Sequence, residues 1–531
     1  MSAREETGTD TSHRHEFDLL IIGTGIAGLS AAITASEAGL EVGILSKETD
    51  AMDTNTRLAQ GGIVGTGPDD TSARLAADIR YAGANVNFED AVALLVTEGP
   101  ALVDQFLVGK VGVPFTTDGH GRPDLAREAA HSVRRIFHVH DSTGVTIQQA
   151  LLAYSETLST ITLLTGHTAI DVITNTHNST RTAEKYRRTR VLGVYALDER
   201  TSRVKTFLAN TVVLATGGVG NLFRHTSNPE GATGDGVAIA HRVGAEVIDA
   251  EYVQFHPTVL FHRDSSRFLI TEAMRGEGSL LLNRSGQRFM ERHHPDQELA
   301  PRDEVARAIY REMESDDSEF VLLDATRISH VDVSIRFPGI FRHCAELDID
   351  IRKTPIPVVP AAHYFCGGVK VDLDGNTSIE GLLAAGETAC TGVHGANRLA
   401  SVSLLEGLLW GVRCGRNAIA RRRRLDPSLV GSIPDWVEPS VAEEFDPMLV
   451  TQDLRTVQST MWNYAGIIRN HKRLDRATAD IDYLGHRVEQ FYRSAIPTRR
   501  IVELRNSVIT ASLIVRAARA NSRSIGCHHI E

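Results

Sequence analysis

The feature that most constrains this chain is an ordered pair: an apolar run, Phe17–Ile22, followed at once by Gly23-Thr24-Gly25-Ile26-Ala27-Gly28 and an Ala-rich stretch to Ala38. A G-x-G-x-x-G turn between a buried strand and a helix is the entry to a dinucleotide-binding β-α-β unit. Gly23 permits the tight turn, Gly25 lets backbone approach a pyrophosphate, and Gly28 lets helix and strand pack closely. The helix N-terminus offers unpaired N–H groups and partial positive charge to the phosphates. Glu41–Leu45 reads as the second strand. An acid usually ends that strand and holds a ribose. Here Ser46 and Lys47 stand there, with Glu48 just beyond, so Lys47 is expected to serve the adenosine side.

At 531 residues the chain exceeds one core, and two or three domains are expected. Asp90–Val108 and Thr146–Leu158 read as helices. Ile161–Leu164, Val191–Leu197 and Val204–Leu208 read as strands, the last two joined like a hairpin by Asp198-Glu199-Arg200. Thr176–Arg190 is polar and basic and reads as a solvated loop. Thr211–Leu214 is a further strand, ending in Ala215-Thr216-Gly217-Gly218. From Glu251 to Ala362 charges are denser and prolines recur from Pro257 to Pro360, the texture of an inserted domain. Nucleotide-fold texture returns at Gly367–Val371 and Gly381–Glu387. Asp426–Pro447 reads as a linker, and Thr451–Ala520 as helical, with apolar residues at three- and four-residue spacing. The expected division is a disordered extension over 1–16, a nucleotide domain over 17–250 and 365–430, a capping insertion over 251–364, and a helical domain over 431–531.

Lys plus Arg number 56 against 67 Asp plus Glu, a net charge of −11 that argues against nucleic acid or anionic membranes as partners. Cys344, Cys366, Cys390, Cys414 and Cys527 form no C-x-x-C pair, so no zinc or iron–sulfur run is expected, and Cys527-His528-His529 lacks further ligands at zinc spacing. Scattered thiols suit a reducing cytoplasm. No apolar run is expected to approach the roughly 20 residues a membrane span needs. FAD is expected rather than NAD. Ala215–Gly218 and Gly381-Leu382-Leu383-Ala384-Ala385-Gly386-Glu387 resemble later motifs of FAD-containing reductases, and a simple NAD dehydrogenase needs neither.

Six strings resemble, in order, the succinate dehydrogenase/fumarate reductase flavoprotein family. They are Leu58-Ala59-Gln60-Gly61-Gly62, Gln254-Phe255-His256-Pro257-Thr258, Thr271–Gly278, Ala300-Pro301-Arg302-Asp303, Ala361-Ala362-His363-Tyr364 and His394–Ser401. The resemblance implies an α/β fold: a Rossmann-like FAD-binding domain with an inserted α+β capping domain and a C-terminal three-helix bundle. It implies FAD contacts at Gly23, Thr24, Gly25, Ile26, Ala27, Gly28 and Lys47, along Asn55, Thr56, Arg57, Leu58, Ala59, Gln60, Gly61 and Gly62, and at Asp235, Glu387, Ser403 and Leu404. Membrane-bound members carry a histidine, bonded covalently to FAD, where this chain has Asn55, so the FAD is expected to be non-covalent.

For the substrate, the resemblance implies a dicarboxylate held by His256, Thr271, His363 and Arg398, because each buried carboxylate needs compensating charge and donors. Arg302 matches the family's proton-shuttling arginine. A free guanidinium, with a pKa above about 12, is a poor base, so Glu272 is expected to assist it. Glu128 matches the position that in one branch faces an ammonium, so the chain resembles members that oxidise L-aspartate to iminoaspartate for quinolinate and NAD biosynthesis. Those members pass electrons to O2 or fumarate, and quinolinate synthase is a candidate partner. Two other readings stay open: a membrane-anchored succinate dehydrogenase or fumarate reductase flavoprotein subunit, and a silent FAD-binding scaffold or redox sensor.

Overall fold

The computed structural model describes residues 13–128, 130–263, 268–439 and 446–531. In chain order, the elements that position the site are β1 (Leu19–Ile22), α1 (Ile26–Glu37), β2 (Val42–Leu45), β3 (Ile161–Leu164), β4 (Val212–Leu214), β5 (Val253–Leu260), α2 (Arg302–Ser315), β6 (Ile356–Phe365), β7 (Leu382–Ala384), α3 (Val402–Ala420), α4 (Pro447–Ala465), α5 (His471–Ser494) and α6 (Arg499–Ala520).

A parallel sheet ordered β7-β4-β1-β2-β3 forms the centre, with Leu20 level with Val212 on one side and Gly43 on the other. β1, β2, β4 and β7 are buried along their whole length, as expected of parallel strands covered on both faces. α1 is buried on nearly every side because α3 lies along it. The reason is a stripe of glycines on α3. A Cβ at Gly407 would lie 3.0 Å from Ile26, one at Gly411 would lie 2.4 Å from the Ala27 carbonyl, and one at Gly415 would lie 2.7 Å from the Ala31 carbonyl. The contacts run in the same order along both helices. α1 and α3 are therefore parallel, and their N-termini open side by side.

The capping insertion is an antiparallel sheet in the order β5, β6, Val321–Asp324, Leu280–Leu282, so that β5 is one edge and pairs with β6. α4, α5 and α6 form the helical domain and share a core with the capping strands through Trp462, Phe255 and Phe223. α6 reaches the nucleotide domain: Asn506 Nδ2 donates to Asp235 at 2.8 Å and Thr510 Oγ1 to the Gly234 carbonyl at 3.1 Å.

Four local expectations are corrected. Arg14–Glu16 is not disordered; it pairs in parallel with Arg203–Leu208, while residues 1–12 lie outside the described residues. The 176–190 segment is mostly exposed but holds a buried Glu184, which accepts from buried Asn175 at 3.1 Å and fastens two short helical turns. The 426–447 segment is no loose tether at its start: Leu429 and Ile433 are buried with Trp436 packed against the strands around Tyr195, and 440–445 lie outside the described residues. Finally, Glu89–Val111 is long and apolar enough by composition to cross a membrane, with a mean hydropathy of 1.5. Half of that window is buried inside the protein, where Gly99 packs on Leu405 of α3. Pro100 lies inside this helix, and the backbone changes from α to π geometry at Val103. A proline cannot donate the interior hydrogen bond that regular α geometry requires.

Candidate active site

A single continuous cavity runs from the glycine turn to the capping sheet. Gly23, Thr24, Gly25, Ile26 and Ala27 line one end, Lys47, Asp235, Asn55 and Glu387 the middle, and Glu128, His256, Thr271, Glu272, Arg302, His363 and Arg398 the other. Thr56, Leu58, Ala59, Gln60, Gly61, Gly62, Ser403 and Leu404 also face it. Two expected contacts do not. Gly28 is a packing glycine, since a Cβ there would lie 2.1 Å from the Gly23 carbonyl. Arg57 turns away to pair with Asp53 at 2.7 Å.

The walls fit a long dinucleotide with polar groups spread along it. Neither N-cap residue, Gly25 of α1 nor Ser401 of α3, caps its helix with a side chain; Thr56 Oγ1 takes the Ile26 N–H at 3.0 Å, and the other first-turn N–H groups are left for a ligand. Gln60 Oε1, Asn228 Oδ1 and His167 Nε2 are buried beside the cavity without a protein partner. Orphaned polar atoms of this kind are rare unless a ligand or water completes them. Lys47 is held by Asp235 at 2.6 Å and Glu503 at 2.9 Å. Burial works against its charge, but the two carboxylates prevail and raise its pKa. Asn55 Nδ2 donates to Glu387 Oε2 at 2.8 Å, and the Phe365 N–H donates to Oε1 at 3.0 Å. Burial still pushes Glu387 up to about 7.

At the far end the capping sheet brings two histidines together. Gln254 lies opposite Tyr364 and Phe255 opposite Ala362, which leaves His363 as the extra residue of a β-bulge. Bulges re-aim side chains, and here the His363 ring sits 5.1 Å from that of His256. His256 Nδ1 accepts from the Thr258 N–H at 3.2 Å, so in the neutral ring Nε2 carries the proton. Burial, reinforced by Arg302, His363 and Arg275, holds His256 well below its ordinary pKa; burial with Arg398 and Arg302 does the same to His363. Both histidines are therefore neutral donors, and the positive charge comes from the arginines.

Arg302, the first residue of α2, donates Nε to Glu272 Oε2 at 2.5 Å. Burial raises the Glu272 carboxyl, but Arg302 and Arg275 outweigh it and keep it ionised. Arg398 donates to Ser403 Oγ at 2.6 Å, and its guanidinium lies 4.5 Å from the centre of the Tyr364 ring. Burial, then Arg302, lowers the Arg398 pKa. Glu128 is not a surface residue paired with Arg127 or Arg134. It is buried, it accepts from Ser401 Oγ at 2.7 Å, and burial raises its pKa against the pull of Arg302.

Four supporting residues escaped sequence reasoning. Gln254 Oε1 accepts from Arg302 at 3.4 Å and from Arg398 at 3.2 and 3.3 Å, so one amide oxygen sits between the two cations. The signal was available: Gln254, His256 and Thr258 alternate along β5 and share one face. Ser227, which meets His363 Nδ1 at 2.7 Å, and Ser401 and His131 gave no such signal. Among the described residues no His, Cys, Asp and Glu cluster fits a metal ion.

The chain matches the FAD binding domain family over residues 18–404 and the fumarate reductase flavoprotein C-terminal family over residues 454–531. It is 41% identical to L-aspartate oxidase of Acinetobacter baylyi, over 97% of this chain and 93% of the relative. It is 42% identical to that of Halobacterium salinarum, over 96% of each. An E. coli quinol fumarate reductase chain superposes with a TM-score of 0.86 at 27% identity, covering 98% of this chain and 92% of that one.

Proposed function

The chain belongs to the L-aspartate oxidase family of FAD-binding flavoproteins, and from that premise we propose how its own residues carry the oxidation of L-aspartate to iminoaspartate. The observation that carries the reading is a buried carboxylate, Glu128, beside buried arginines: two cations for two acid groups and one anion for an amine.

Arg398 clamps one substrate carboxylate, as a rigid planar fork suits it. Arg302, Thr271 and the Nε2–H of His256 serve the other, and His363 donates beside Arg398. Glu128 pairs with the ammonium and repels a dicarboxylic acid lacking one. The proton shed as the amine becomes an imine leaves through Arg302, whose Nε already touches an ionised Glu272. In the opposite direction the same pair supplies a proton to fumarate carbon. Holding the substrate in line contributes on the order of 7–11 kcal/mol.

Gly23–Ala27, Lys47, Asn55, Thr56, Leu58–Gly62, Asp235, Glu387, Ser403 and Leu404 would hold FAD, with the open N–H groups of the two helix N-termini serving its anionic and electron-rich groups. When bound there, FAD would supply the two-electron acceptor for the hydride of the substrate carbon, with O2 (giving H2O2) or fumarate (giving succinate) as the final acceptor. Asn55 cannot form the bond a histidine forms, so the FAD is dissociable. The product feeds quinolinate and NAD biosynthesis. Because an imine hydrolyses in water, the product must be consumed promptly, and we assign quinolinate synthase as its consumer; the five free, buried cysteines suit a reducing cytoplasm as the location.

The test is anaerobic mixing of the flavin-loaded protein with L-aspartate, D-aspartate or succinate while flavin absorbance is followed. L-Aspartate alone is expected to bleach it, and Glu128→Gln is expected to abolish that bleaching while fumarate reduction survives. Bleaching by succinate and not by L-aspartate would sink the reading.

A further inference from the structure

Ser401 stands where a helix cap belongs and does not cap. It precedes α3 with φ 59° and ψ 5°, and its side chain makes no bond to the helix N–H groups. A serine at this place ordinarily has extended backbone and accepts from the second or third helical N–H. A non-glycine residue in the left-handed region is strained and persists only where its surroundings hold it.

Three contacts hold this corner. The Ser401 carbonyl accepts from Val64 N–H at 3.2 Å, the Ala400 carbonyl meets His131 Nε2 at 3.0 Å, and Ser401 Oγ donates to Glu128 Oε2 at 2.7 Å. The His131 tautomer follows from its other partner. Arg135 has only donors, so Nδ1 accepts from it at 3.2 Å and Nε2 carries the proton given to Ala400. Arg135 is fully buried between Asp70 and Asp78. The turn bearing Glu128 is thus stitched to the corner bearing Ser401 at two points.

The geometry points to Ser401 as a specificity-determining positioning residue: its hydroxyl aims the Glu128 carboxylate at the substrate's amino group. This rests on the reading of Glu128 as the ammonium partner. Arg302, Arg398 and Glu272 face Glu128 from other elements, yet among the described residues Ser401 is the side chain hydrogen-bonded to it. A carboxylate has about four lone-pair directions; one goes to Ser401 and the others remain for substrate. The left-handed backbone brings the hydroxyl round to Glu128, and it also leaves the α3 N–H groups uncapped.

The test uses full-length, flavin-loaded Ser401→Gly and Ser401→Ala. Both lose the hydroxyl, but only glycine relieves the left-handed backbone. The measurement is kcat/KM against pH for L-aspartate oxidation and for fumarate reduction. A carboxyl that loses its donor protonates at higher pH, and a protonated Glu128 cannot hold an ammonium. In both variants the acid limb of aspartate oxidation is therefore expected to move to higher pH and KM for aspartate to rise about tenfold, with no such movement in fumarate reduction. Parallel loss of both reactions in Ser401→Gly with an unmoved acid limb would overturn the proposal. Glu128→Gln separates the two levels: equal loss of both reactions there removes the ammonium reading and this proposal with it, whereas selective loss there with unmoved limbs in the Ser401 variants removes this proposal alone.

Discussion

Gly61 and Glu128 occupy complementary space: a Cβ on residue 61 would lie 2.1 Å from Glu128 Oε1 and 3.3 Å from Ser401 Oγ. Both are tips of flexible side chains, so Gly61→Ala is expected to fold and to displace the carboxylate rather than the backbone. The expected outcome is at least a tenfold loss of kcat/KM for L-aspartate, about 1.4 kcal/mol of transition-state stabilisation, with a smaller loss in fumarate reduction. Steady-state kinetics at matched flavin content checks it. Equal losses would mean that Gly61 serves the cofactor alone.

His131 gives a pH dependence of stability. Burial, with a lesser push from Arg135, holds its imidazole down at about 4. The unfolded chain, with an ordinary histidine near 6.5, binds that proton more readily. The contribution is therefore complete above about pH 6.5 and is lost as pH falls toward 4, reaching about 3 kcal/mol at that limit. Buried His528, also held at about 4 by burial first and Arg469 next, adds in the same sense. Urea midpoints measured from pH 7 to pH 4 are expected to fall steadily. His131→Gln, which keeps a donor for Ala400 but does not titrate, should show a shallower fall; an unchanged slope would remove His131 from the account.

Much of the fold and site was legible because the chemistry demanded particular residues in order. The glycine turn needs missing side chains at Gly23 and Gly28, and the structure shows backbone where each Cβ would go. Arg302, Arg398, His256 and His363 lay in quoted strings, and the fold brings all four to one cavity. The charge states were not legible, since neutral histidines follow from burial among arginines, a property of the assembled pocket. Nor was Ser401, because a left-handed serine looks like any serine in sequence. The extension and linker misled for one reason. Polar composition at 14–16 and 426–433 says nothing of an edge strand awaiting a partner, or of isolated apolar residues such as Leu429 and Ile433 that dock on a neighbouring sheet.

The parallel packing of α1 and α3 sets the distance between the two helix N-termini that open into the cavity, and Gly411 is its tightest point. A Cβ there would lie 2.4 Å from the Ala27 carbonyl oxygen and 3.1 Å from Ala27 Cα, all backbone that cannot rotate away. Gly411→Ala must therefore push the helices apart, and overpacking of this kind costs about 1–3 kcal/mol or more. For a chain of 531 residues unfolding as one unit that corresponds to a Tm lowered by roughly 1–3 °C, since the unfolding entropy is about 2.1 cal/mol/K per residue. The two N-termini also separate, so flavin should be retained less well as well. Gly119, with nothing within 4 Å of a built Cβ, provides the comparison. Gly119→Ala is expected to leave Tm and flavin content unchanged, so calorimetry of the two variants with and without added FAD isolates the packing effect. If Gly411→Ala keeps both its Tm and its flavin, the glycine stripe does not set the spacing of the helix ends.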